Sequence, residues 1–172
     1  MEIHMHSHRW EHRSPDWTAA AVSGFLAGAV LMVLGLLWSA VTDASPWITS
    51  HRIAAIVMGP EALQLTDFSF LAVAAALVTH YVLGIVFGLV MGAVIAPFHL
   101  DSSTGMVLLV GAVFGLALYL LNFYGMVLFF PWFADMRGWA TLAAHLIFGI
   151  VTAYMYRQLE WRGSVTPDTR NM

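Results

Sequence analysis

The chain has 172 residues, of which 60% are hydrophobic and only 10% charged, with a net charge of −3 and a mean hydropathy of +0.77. A soluble domain carries about a quarter charged residues, and a water-soluble bundle would need polar outer faces that these apolar runs lack. There is no cysteine, so disulfides, thiolate ligands and cysteine chemistry are excluded.

Residues 1–16 read as a polar tail. Its His4, His6, His8 and His12 would hold Cu²⁺, Ni²⁺ or Zn²⁺ only weakly, since no carboxylate or cysteine frame fixes a geometry. A solvated tail is the plainer reading. Beyond it, no Asp, Glu, Lys or Arg falls in 17–42, 68–100, 102–134 or 138–156. An uncharged apolar run of roughly 18 or more residues marks a membrane-spanning helix. The expected fold is therefore all-α: a polytopic four-transmembrane-helix bundle over 17–160.

The first span is expected over about 17–42. Its flank HRWEHRSPDW mixes acids with bases, and the run exceeds the roughly 7–15 apolar residues of a cleavable signal, so it should stay in the mature protein. The first loop contains HRIAAIVMG, whose spacing suits a short surface helix at about 46–58 that Gly59-Pro60 ends. A second span follows over about 70–96. After the short loop PFHLDSST, Ser102 or Ser103 can cap a third span at about 104–129. The loop FPWFADMRGW leads to a fourth span at about 139–157, and 161–172 is a second polar tail.

The seven arginines set the expected orientation. Arg9, Arg13, Arg157, Arg162 and Arg170 flank the bundle near its termini, whereas only Arg52 and Arg137 lie in the first and third loops. The positive-inside rule then places both termini in the cytoplasm of a bacterial inner membrane. Trp17, Trp38, Trp47, Trp132, Trp139 and Trp161 stand near span ends, as an aromatic belt does.

The halves correspond. Gly24-x-x-x-Gly28 followed by Gly35 answers Gly111-x-x-x-Gly115 followed by Asn122 at the same offsets. SPWI answers FPWF, and His80-x-x-x-Gly84-Ile-Val answers His145-x-x-x-Gly149-Ile-Val. Two duplicated helical hairpins in a parallel repeat are expected, related by a pseudo-twofold axis along the membrane normal.

His80 and His145 are the candidate site. Ionisable residues inside spans are costly and normally face the bundle interior. Three uses compete. The first is a neutral imidazole hydrogen-bonded across helices, with Asn122 as partner and Tyr119 or Tyr124 joining. The second is bis-histidine ligation of one haem b, with Gly28 and Gly115 giving a porphyrin room and Arg52 or Arg137 meeting propionates. The third is proton or ion movement, for which the spans offer no Asp, Glu, Lys or Arg relay. Glu61, Asp67 and Asp135 could form a small outer acidic patch. The glycine stripes, including Gly84-x-x-x-Gly88-x-x-x-Gly92, suit close helix contacts within the fold.

At SPW, HRIAAIVMG, GLALYLLNFYG, FPWFADMRGW and AHLIFG the sequence resembles a group of small bacterial inner-membrane proteins often labelled "sodium:proline symporter". The resemblance covers most of 17–157. It carries over His80, Asn122 and His145 as matching positions with no assigned role. Symporters of that name use many more helices and broken spans near the midplane. The expected function is an integral membrane subunit without a catalytic centre, with lipid and other membrane-protein subunits as partners and no nucleic acid. It would serve as an accessory or assembly part of a larger complex, possible complexes including those of electron transport. The alternatives are a one-haem cytochrome using His80 and His145 to move electrons from quinol, and a small transporter or channel. No cofactor is expected on the first reading, haem b on the second.

Overall fold

A computed structural model describes residues 13–42 and 45–165, with side chains as far as Trp161. His4, His6, His8 and His12, Arg9, the Arg162 side chain and Arg170 lie outside the described residues. Everything regular among the described residues is helical: α1 Trp17–Thr42, α2 Ile48–Met58, α3 Phe70–Phe98, α4 Thr104–Leu120 and α5 Trp139–Val165. Among the described residues four helices are long and apolar enough to cross a membrane, α4 counting with its continuation to Leu128.

Short polar residues start these helices by accepting backbone N–H groups that have no partner inside the helix. The Asp16 carboxylate accepts from Ala19 N at 2.9 Å, Ser69 Oγ from Ala72 N at 3.3 Å, and Ser103 Oγ from Met106 N at 3.2 Å. The end of α3 differs from the expected 96. The helix carries Pro97 in its last turn and stops at His99, which takes a left-handed conformation (φ 51°). His99 N–H then donates to the Ala96 carbonyl and Leu100 N–H to that of Ile95, satisfying the last carbonyls. At the other end of the chain α5 continues past 157 to Val165, so the second tail begins as helix. Its polar Arg157, Gln158 and Glu160 show where the spanning part gives way.

The third span is not one uniform α-helix. After Leu120 it widens into a π-turn over Leu121–Gly125 and tightens into a 3₁₀ turn over Met126–Leu128. A π-turn inserts one residue into the ladder and re-aims the side chains around it.

Glycine pairing assembles the hairpins. α1 lies on α3 where Gly24 faces the Gly84 carbonyl and the Gly88 Cα; a Cβ on Gly24 would stand 2.8 Å from that Cα. α4 lies on α5 where Gly111 faces the Gly149 carbonyl, 2.7 Å from where a Cβ would be. Gly24–Gly84 and Gly111–Gly149 are the pairs that the sequence correspondence matches. Gly88, Gly92 and Gly115 are likewise occupied by neighbouring segments of the same chain, Gly92 by Ala20 and Tyr156. The stripes are spent inside the fold.

Between the hairpins, α1 runs close to α5, while α3 and α4 stand further apart. Side-chain size accounts for the difference. α1 turns inward the fully buried Ala20, Ser23 and Ala27; at the same offsets α4 carries Val107, Val110 and Phe114. The terminal end of the core is closed by Ala20, Met91, Ile95, Val107, Ala153 and Tyr156, all fully buried and drawn from all four spans. α2 lies against α3 through a seam of Ala54, Ala55, Ala72 and Ala76. Only 28 to 33% of the residues in the most apolar stretch of each span are fully buried, which leaves apolar surface on every span for lipid or another protein.

At the end carrying both termini, Arg13 holds Asp101 at 2.7 Å and also pairs with Glu160. Burial works against the Arg13 charge, but the hydrogen bond and charge of Asp101, with the charge of Glu160, outweigh it and hold the guanidinium above its ordinary value. Tyr156 adds a bond from its hydroxyl to Glu160 and accepts from Asp16 N at 3.2 Å. Arg157 donates to Thr104 Oγ1 at 2.8 Å. The residues just before α1, the α3–α4 turn and the last turns of α5 are thereby tied together.

Candidate functional site at the paired histidines

Both span histidines face the bundle, half-buried, and each lies beside the second glycine of its hairpin partner. His80 stands ten residues into α3 and its Nε2 is 2.8 Å from the Gly28 carbonyl of α1. A carbonyl only accepts, so Nε2 carries the proton. The ring covers Gly28, where a Cβ would lie 3.7 Å from Nε2. The hydrogen bond that His80 makes is thus to a main-chain carbonyl beside a glycine, whereas Asn122, the expected side-chain partner, bonds to His145.

His145 stands six residues into α5. Its Nδ1 is 2.8 Å from the Thr141 carbonyl one turn back, so that nitrogen donates. Nε2 is then the acceptor, and the Asn122 amide donates to it at 3.3 Å. The two imidazoles therefore hold opposite tautomers, one tied to a backbone oxygen across the hairpin and the other to a side chain across it. The π-turn places Asn122 for this bond.

An aromatic wall surrounds His145. Tyr119 and Phe123 meet the ring edge-on at 6.1 and 5.3 Å between centroids, and Phe133 from the third loop backs Phe123 at 5.8 Å. Tyr119 contributes its ring to His145, while Tyr124 turns outward beneath the Arg137 guanidinium at 4.4 Å. Arg137 Nε donates to the Phe123 carbonyl at 2.7 Å, at the widened end of the third span. Sequence reading missed the Gly28 and Thr141 carbonyls because main-chain acceptors leave no residue-type signal. It missed the Phe123–Phe133 wall because a span and a loop had to come together to make it.

Of the atoms a bis-histidine haem would use, both His145 nitrogens and His80 Nε2 are engaged in hydrogen bonds within the fold. The glycines that would make room are filled: Gly28 by the His80 and Tyr81 rings, Gly115 by the His145 backbone and by Leu146 Cα, 2.8 Å from where a Cβ would lie. Among the described residues no group of three His, Cys, Asp or Glu side chains gathers to hold a metal ion.

Four apolar spanning helices, packed by glycine and fastened by imidazole, define a multi-pass integral membrane protein of the helical-bundle class. Compared with protein-family models, curated proteins and solved structures, the chain matches none.

Proposed function

We propose that this chain is a non-catalytic subunit of a larger membrane complex, acting by packing rather than by chemistry. The observation that carries this reading is the use made of the two half-buried span imidazoles: each joins one helix of a hairpin to the other. Polar groups within spans serve as packing glue in this way. Further support comes from the wide apolar surface that the spans leave uncovered, including Leu116, Leu120 and Leu121 on the third span. Such a surface suits lipid and neighbouring spans alike. The resemblance to small bacterial inner-membrane proteins agrees in size and span number, and the arginine distribution supports cytoplasmic termini.

Purification of the full chain in mild detergent tests this reading. The expected result is a colourless protein that co-purifies with a defined set of membrane subunits, and whose His80→Ala variant loses thermal stability without any spectral change. A six-coordinate haem spectrum lost in His80→Ala, or a chain that migrates alone under every mild condition, overturns it.

A further inference from the structure

Arg137 is exposed, and among the described residues no carboxylate pairs with it, although Asp135 lies two residues away. Its guanidinium is nonetheless held at two points. Nε donates to the Phe123 carbonyl at 2.7 Å, and the guanidinium carbon lies 4.4 Å from the centre of the Tyr124 ring. The third loop thus turns its cation back along the third span. Tyr124 comes four residues before Leu128, the last residue of that span, about 6–8 Å at the rise of α- and 3₁₀-turns. Tyr124 is itself 55% exposed, and Leu109, Val113, Leu116 and Leu120 lead away from it as an exposed stripe at the spacing of one helix face. The charge therefore stands on the outer side of the bundle, within the length of an apolar span.

A cation so placed is costly unless an anion meets it. The two contacts decide which part of the group is left to do so. A guanidinium is a planar fork of five N–H groups. The Phe123 carbonyl takes Nε–H and the Tyr124 ring covers one face, which leaves the end formed by the two Nη groups. That end matches a pair of phosphate or carboxylate oxygens. We propose that Arg137 and Tyr124 form a headgroup site for one anionic phospholipid of the phosphatidylglycerol class, whose phosphate accepts from both Nη groups. An acyl chain then follows the Leu120–Leu109 stripe, a surface that free phosphate would not need. Trp139, 73% exposed and in edge contact with Trp38 at 5.1 Å, supplies an aromatic ring at headgroup level two residues from the arginine. A carboxylate of a neighbouring subunit would match the fork, but lipid phosphates surround every span end already. The site goes beyond the proposed packing role and stands or falls separately from it.

The test titrates the full chain in mild detergent with phosphatidylglycerol and with phosphatidylcholine, and counts bound lipid by native mass spectrometry. The expected result is a single phosphatidylglycerol held more tightly than phosphatidylcholine, with a higher melting midpoint once it is bound. Arg137→Gln should weaken that binding about tenfold or more, the worth of hydrogen bonds to a charged group. Tyr124→Leu changes an exposed side chain, keeps the charge and should weaken binding about threefold. Arg157→Gln removes an equal charge beside Thr104, at the other end of the bundle, and should leave the tight site unchanged. Equal affinity for the two lipids, equal losses in Arg137→Gln and Arg157→Gln, or a midpoint raised as much by inorganic phosphate alone overturns the proposal. So does lipid binding that is unchanged in Arg137→Gln while a co-purifying subunit is lost, which assigns the cation to a protein carboxylate. Tyr124→Leu and the wild-type preference between lipids decide if Arg137→Gln does not fold.

Discussion

Gly24 and Gly105 are the same residue type in helices of similar hydropathy, yet they should respond oppositely to alanine. At Gly24 an added Cβ meets Gly84 and Gly88 backbone, which cannot rotate away. Overpacking of this kind costs about 1–3 kcal/mol, and Gly24→Ala should lower the thermal midpoint in detergent accordingly. At Gly105 nothing lies within 4 Å of the added atom. Gly105→Ala should therefore leave stability unchanged or raise it by up to about 1 kcal/mol, the backbone-entropy gain within a helix. The Asn122–His145 bond is also a residue-scale contact. A double-mutant cycle with Asn122→Leu and His145→Leu should give a coupling of about 0.6 kcal/mol and no more than about 1.7. No measurable coupling would mean that the π-turn positions Asn122 for some other purpose.

Among the elements, the terminal staple and the α2 seam make different demands. Arg13 links the residues just before α1 to the α3–α4 turn and to the last turns of α5, but its side chain is 35% exposed, so solvent and salt weaken the pairs. Arg13→Gln should cost about 1 kcal/mol at low ionic strength and progressively less as salt is added, measured by thermal unfolding. The α2 seam has no such sensitivity. Ala55→Leu forces two methyl-lined helices apart and should cost about 1–3 kcal/mol at any salt concentration. Val57→Ser on the exposed side of α2 should be close to neutral. The widened turn over Leu121–Gly125 shows how an element departs from regularity for a contact: a continuous α-helix there would aim the Asn122 amide differently.

For the whole molecule, orientation in the bilayer is the open physical variable, and the absence of cysteine makes it directly measurable. Ser14 and Glu61 are both exposed and lie at opposite ends of the bundle. In intact cells an impermeant maleimide should label Glu61→Cys at once and Ser14→Cys only after permeabilisation. The reverse pattern would invert the arginine-based orientation. The bundle is also asymmetric along its axis. Its terminal half is closed by a cluster of apolar side chains from every span, whereas the hydrogen-bonded His80, Asn122 and His145 lie toward the α2 end. A solute crossing the whole bundle would have to displace Met91, Ile95 and Tyr156.

The all-helical class, the four apolar runs long enough to cross a membrane and the placing of polar residues within them were legible from residue order. These follow from quantities that a linear chain carries: the length of an uncharged run, the offsets of glycines, and the cost of a polar group in hydrocarbon. Only the tertiary structure decided that His80 bonds to the Gly28 carbonyl, that Gly24, Gly111 and Gly115 meet backbone while Gly28 meets the His80 and Tyr81 rings, and that His51 is buried with no hydrogen bond to another protein group. Each of those depends on how closely two helices approach and on which main-chain oxygen then lies within reach. Every residue has a carbonyl, so letters in a sequence cannot single out the one that packing exposes.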